Sequence, residues 1–136
     1  SEGWNTIKYK TFLTGIIKGL KDRGIRTSIF TGTDIEIIKN AAIIGTDRIE
    51  LYTEPYAKMF PENPEKAVSP FIQAAKMAKD TGLELNAGHD LNLENLKYFK
   101  QNVPGLLEVS IGHALIADAI YFGLENTIQM YKDQLS

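Results

Sequence analysis

The chain has 136 residues, 43% apolar and 24% charged, with a net charge of -2 and no cysteine. That is enough for one domain with a moderate core; it excludes disulfides, thiolate catalysis and cysteine-based metal sites, and it gives no footprint for nucleic acid or a polybasic membrane surface. The absence of cysteine fits a cytoplasmic protein, no apolar run nears the roughly 20 residues of a membrane span, and no signal peptide is visible. The chain begins Ser1-Glu2-Gly3-Trp4 without an initiator Met, as a processed start or a piece of something longer would.

Residues 9–22 have helical spacing, with Phe12, Ile16, Ile17 and Leu20 as the apolar stripe and Gly24 as the stop. Residues 25–30 are short and β-branched and predict a strand. Thr33 or Asp34 can cap a helix over 35–44, with Ile37, Ile38 and Ala41 on one face. Residues 48–53 are a second strand. Residues 54–64, with Pro55, Pro61 and Pro64, read as a long irregular loop of the kind that often carries function. An Ala-rich helix over 65–80 follows, with Val68, Ile72, Ala75 and Met77 as core contacts and Pro70 marking its first turn. The remaining elements are a strand over 83–87, a helix from Asn92 or Asn95 to about 102, a strand over 106–111, and helices over 114–122 and 124–135.

Alternating strands and helices define an α/β chain with a parallel sheet and right-handed crossovers. The strands read as apolar enough to be buried on both faces. Two architectures fit: an open doubly wound sheet, or half of a TIM (β/α)8 barrel, which takes roughly 250 residues. In the second, residues 1–136 supply the last four strand-helix units.

Two stretches stand out: Leu83-Glu84-Leu85-Asn86-Ala87-Gly88-His89 and Leu107-Glu108-Val109-Ser110-Ile111-Gly112-His113. Each is a strand-like run ending in Gly-His and followed by a helical pattern. Side by side in a parallel sheet, both would deliver an imidazole to the carboxyl edge, beside a helix amino terminus, where such proteins keep their chemistry. Imidazole can act as acid, base or anion ligand; the plainer reading is a partly buried histidine satisfied by a neighbour. Gly88 and Gly112 would let backbone approach a ligand and free N–H groups face an anion, or would serve only as turns. Glu50, Glu84 and Glu108 lie within strands, where a carboxylate needs a partner or a role. Glu50 is the one proposed to line a site; Asn86 and Ser110 share a strand face with one another. Asp47 and Arg48 read as structural, and Asp90 as a helix-entry acceptor. Neither a metal site, a Schiff-base lysine, a P-loop nor a dinucleotide fingerprint is expected.

Leu85-Asn86-Ala87-Gly88-His89-Asp90-Leu91 and Glu108-Val109-Ser110-Ile111-Gly112-His113-Ala114 resemble the pyridoxine 5'-phosphate synthase family. Arg26-Thr27-Ser28-Ile29-Phe30 and Arg48-Ile49-Glu50-Leu51-Tyr52-Thr53 match it upstream. The Asn-Ala-Gly-His and Ile-Gly-His-Ala segments are the specific parts, and the match covers the family's carboxyl-terminal half. The resemblance implies a TIM barrel with additional helices, assembled as octamers. It implies condensation of 1-deoxy-D-xylulose 5-phosphate with 3-amino-2-oxopropyl phosphate to pyridoxine 5'-phosphate, phosphate and water, without an organic cofactor. The family's proton donor falls on His89, and its ligand for the aminoketone phosphate on Gly112 and His113. Asp90 stands where the family usually has a substrate-contacting glycine, and adds bulk and charge. Thr31-Gly32-Thr33-Asp34 replaces a more usual Asp-Pro-Asp type of turn.

The family's general bases and other phosphate ligands come from four strands absent from this chain. Four strands cannot close an eight-stranded barrel, so pairing with the missing amino-terminal half or with another copy is expected. Rival readings are a non-catalytic phosphate-binding or assembly domain on the same scaffold, and an unrelated phosphosugar-binding barrel enzyme.

Overall fold

The computed structural model describes residues 3–136; Ser1 and Glu2, which the resemblance sets just after a fourth strand, lie outside the described residues. Among the described residues, seven helices and four strands follow one another as α1 (Lys10–Lys21), β1 (Ser28–Thr31), α2 (Ile35–Ile44), β2 (Arg48–Leu51), α3 (Glu54–Met59), α4 (Pro64–Asp80), β3 (Glu84–Gly88), α5 (Leu96–Asn102), β4 (Leu106–Ser110), α6 (His113–Phe122) and α7 (Leu124–Asp133). The strands form one parallel sheet in the order β1-β2-β3-β4. Chain order equals spatial order, so the strand order never reverses, as a doubly wound sheet requires. Crossovers of one hand then put the connecting helices on one face.

That arrangement overturns the expectation of strands buried on both faces. On the helix side Ile29, Ile49, Leu51, Leu85 and Ala87 are buried in one continuous core, and Thr31 is buried as well. On the other side stand Ser28, Glu84, Glu108 and Ser110, all exposed, with Phe30 and Glu50 half-buried. The period-two alternation of Arg48-Ile49-Glu50-Leu51 is the mark of a sheet covered on one side only.

The helices bury narrower stripes than their apolar content suggests. In α1, Leu13 and Ile17 are buried while Phe12 and Ile16 are exposed, because only one i, i+4 row meets α2. Asp34 caps α2, its carboxylate accepting from the N–H groups of Glu36 (2.8 Å) and Ile37 (3.1 Å). Residues 54–59 are helical, not irregular. Pro55 sits in the first turn, where no N–H is needed, and Tyr56 anchors the turn at the centre of Phe60, Phe71 and Phe99, with ring centroids 4.9–5.8 Å away. The first turn of α4 is also earlier than Pro70 suggests. Asn63 caps it through Lys66 N–H (2.9 Å), Pro64 opens it, and Pro70 lies inside the helix. Its buried contacts are Ala67, Val68, Phe71, Ala74, Ala75 and Ala78; Ile72 and Met77 only pack against the core edge.

At the amino edge of the sheet, Asp47 ties three elements together. Its carboxylate accepts from Thr27 N–H (2.8 Å) and the Thr27 hydroxyl (3.1 Å), and pairs with Lys21 of α1 (2.9 Å). The Thr27 amide, then Lys21, hold its pKa down from 3.8 to about 2, against the opposing pull of burial. Folding therefore favours the charged form. The stabilisation is complete above about pH 4 and is lost as pH falls through 2. After allowance for solvent screening it is about 1 kcal/mol. The stability gap between the wild-type chain and Asp47→Asn, followed by urea unfolding, should shrink between pH 5 and pH 2; a pH-independent gap would show that Asp47 acts by hydrogen bonding alone.

Candidate functional site at the carboxyl edge

Because all four strands are parallel, their carboxyl ends lie along one edge, and both Gly-His corners are on it. They are not equivalent corners. The β3–β4 register shifts between Leu85 and Asn86, so Gly88 stands opposite Ser110 and Asn86 opposite Glu108. His89 directly follows its strand, whereas His113 comes three residues after Ser110 and is the first residue of α6. Asn86 and Ser110 do share the open face, as expected, but one step apart in height.

The first corner is closely built. A Cβ on Gly88 would sit 2.1 Å from the Ser110 carbonyl oxygen, so glycine is required by the approach of β4 and not by a turn. His89 has a left-handed backbone with φ +57°, alone among the described non-glycine residues. Its N–H donates to the Ser110 carbonyl (2.9 Å). The buried Thr53 hydroxyl donates to the Gly88 carbonyl and accepts from Asp90 N–H (3.4 Å). The side chain of His89 is exposed. Asp90 is not the helix-entry acceptor. Asn92 takes that role, accepting from Glu94 N–H (2.9 Å) and Asn95 N–H (3.1 Å).

The second corner is open. Gly112 has nothing within 4 Å of the place its Cβ would occupy, and no side chain caps α6. Gly112 and His113 are exposed. The first N–H groups of a ten-residue helix thus face outward, carrying the positive end of its dipole.

On the open face of the sheet, Glu50 is level with Asn86, and Asn86 with Glu108. Below this row lies Arg48, which is 8% exposed. Its guanidinium donates to Glu84 (2.5 Å), to the Asn86 side-chain carbonyl (3.1 Å) and to Glu108 (2.6 Å). Glu84 and Glu108 thereby find the partner that strand carboxylates need. Asn86 has its carbonyl end turned to Arg48, which directs its amide donors away from it. The Glu50 carboxylate makes no hydrogen bond or ion pair among the described residues, although its backbone is paired within the sheet. Sequence reasoning took Arg48 as structural and missed that it serves both carboxylates; three acids and one arginine on neighbouring strands were the available signal. Thr53 was missed altogether, since a lone threonine past a strand end carries no signal.

A cavity of about 550 Å³ opens at this edge beside β1 and β2, between Trp4, Tyr52, Pro55, Met59 and Phe71. Neither imidazole lines it. No group of three or more His, Asp or Glu side chains able to hold a metal occurs among the described residues. No helix among them is long and apolar enough to cross a membrane.

A one-sided parallel sheet, with its polar face uncovered and a histidine corner beside an uncapped helix terminus, defines an α/β protein of the strand-helix repeat class. The model for pyridoxal phosphate biosynthesis protein PdxJ matches residues 1–136, and the chain belongs to that family. Among similar curated proteins, the pyridoxine 5'-phosphate synthase of Parabacteroides distasonis is 57% identical over 132 residues, 97% of this chain and 56% of the relative. That of Phocaeicola vulgatus is 58% identical over 133 residues, 98% and 56% of the two chains. That of Cytophaga hutchinsonii is 56% identical over 133 residues, with the same coverage. The chain thus spans about half the length of the curated relatives it matches.

Proposed function

We propose that this chain is the carboxyl-terminal half of a pyridoxine 5'-phosphate synthase, and that its four strands complete a (β/α)8 barrel with an amino-terminal half. The observation that carries the reading is the family match over all 136 residues. The geometry of the edge is compatible with it. Sequential parallel strands with helices on one side are the barrel's repeating unit. The uncovered face, with Glu50, Glu108 and Ser110, is the face a closed barrel would turn inward. Neither β1 nor β4 has a strand partner on its outer edge among the described residues; the Phe30 carbonyl of β1 accepts there from Trp4 N–H (2.8 Å), and a completed barrel would give both edges a neighbouring strand.

In this reading the substrates are 1-deoxy-D-xylulose 5-phosphate and 3-amino-2-oxopropyl phosphate, and the protein works in the cytoplasm. Gly112 N–H, His113 and the α6 terminus hold the aminoketone phosphate, where dipole and free donors favour a dianion. His89 donates a proton during ring closure and water loss. Glu50 and the Asn86 amide face the reacting molecules from the sheet as secondary contacts, and Asp90 meets substrate in place of a glycine. The complementary half supplies the general bases. Exposed Ile116, Ile120, Tyr121, Phe122, Leu124 and Ile128 on α6 and α7 form an apolar surface suited to contacts between copies, octameric in the intact family.

Mixing this chain with the segment of a relative that it does not span should yield pyridoxine 5'-phosphate, and neither piece alone should. Phosphate binding without turnover in the mixture would instead favour the non-catalytic scaffold, a reading that Asp90 supports. Gly112→Ala gives a sharper check on the phosphate assignment. The open space around Gly112 predicts a folded protein of unchanged stability, while the added methyl stands where the phosphate would approach. The KM for the aminoketone phosphate should rise about tenfold, the equivalent of about 1.4 kcal/mol; an unchanged KM would move the phosphate elsewhere.

A further inference from the structure

We propose that Thr53 is a positioning residue for His89, its hydroxyl clipping the corner into the left-handed backbone conformation that aims the imidazole. This rests on the reading of His89 as the proton donor. Thr53 lies two residues beyond the end of β2, and continuing the β2–β3 register from Leu51 opposite Ala87 puts it level with His89. It is fully buried, as the residue that precedes the first turn of α3. From there the hydroxyl reaches both peptide groups that flank His89. It donates to the Gly88 carbonyl on one side and accepts from Asp90 N–H on the other.

The third restraint is the His89 N–H bond to the Ser110 carbonyl. Together the three fix the chain before, at and after one residue. That residue alone, among the described non-glycine residues, has a positive φ, a conformation disfavoured by its Cβ. A strained backbone persists only where its surroundings over-determine it, and here a single side-chain oxygen supplies two of the three restraints. The hydroxyl uses its donor on one side of the proposed proton donor and a lone pair on the other. The hydroxyl touches no substrate in this arrangement, so its effect on chemistry passes through His89.

The test uses the complete enzyme formed with the amino-terminal half. Thr53→Val keeps shape and burial but removes the hydroxyl; Thr53→Ser keeps it. Thr53→Val should lower kcat on the order of 10²-fold, the effect of a reacting group displaced by about 1 Å, with KM little changed. Thr53→Ser should retain turnover. Because Thr53 acts through His89, the double variant Thr53→Val/His89→Ala should be no slower than His89→Ala alone. A crystal structure of Thr53→Val should show His89 out of the left-handed region.

Wild-type turnover in Thr53→Val, an unchanged His89 φ, or losses that multiply in the double variant would each overturn the proposal. Wild-type turnover in His89→Ala would instead remove the donor assignment, and the φ of His89 in Thr53→Val would then decide the clip by itself.

Discussion

His89→Ala in the completed enzyme is expected to cut kcat by roughly 10²–10⁴-fold, the range for removing a general acid. Three features support so large an effect. The imidazole is exposed at the carboxyl end of β3, so substrate can reach it. Its backbone is held by β4 and, through its neighbours, by the end of β2. The phosphate grip proposed for Gly112 and His113 belongs to a different loop and is untouched by the change. The loss should therefore fall on kcat with KM little moved, the signature of an interaction made only in the transition state. His89→Gln, which can hydrogen-bond but not deliver a proton near neutrality, should be nearly as slow. His113→Ala should show the opposite split, with KM rising more than kcat falls. Steady-state assays with each phosphorylated substrate varied in turn would separate them, and undiminished kcat in His89→Ala would take this residue out of the mechanism.

Gly88→Ala should be the most destabilising single change at the site. The added Cβ would stand 2.1 Å from the oxygen, 2.9 Å from the carbon and 3.1 Å from the nitrogen of Ser110. All three are backbone atoms of a paired strand, so no side chain can swing aside. β3 and β4 would have to part at their carboxyl ends, weakening the His89 N–H bond to Ser110 at the same time. A loss of about 3 kcal/mol is expected, at the upper end for inserting one carbon into a packed region. Urea unfolding would measure it. The contrast with Gly112→Ala is the informative part: both glycines precede a histidine, yet one fills a contact and the other faces open space. Similar stability for the two variants would show that β3 and β4 can part at Gly88 without cost.

Apart from α3, the element order was legible in the sequence, as were the parallel sheet and the placing of both histidine corners at one edge, because apolar spacing and glycine stops are local signals. Asp34, one of two candidates for the α2 cap, proved to be the cap for the same reason. Where reasoning failed, the missing information was non-local. Residues 54–59 looked irregular because three prolines dominate the segment; Tyr56, packed on rings from α4 and α5, makes it helical. Phe12 and Ile16 looked like core because hydrophobicity does not say which stripe meets a neighbour.

The functional corners divide along the same line. Composition and order determined that this is a single α/β chain without thiol chemistry, with histidines where strands give way to helices. Only tertiary structure decided that the two corners are out of step, that Arg48 serves two strand carboxylates, and that Gly88 is needed for a neighbouring strand. Strand register, and the side chains it brings to Arg48 from 36 to 60 positions away, depends on how sheets and helices settle against one another. Periodicity along the chain carries no record of that.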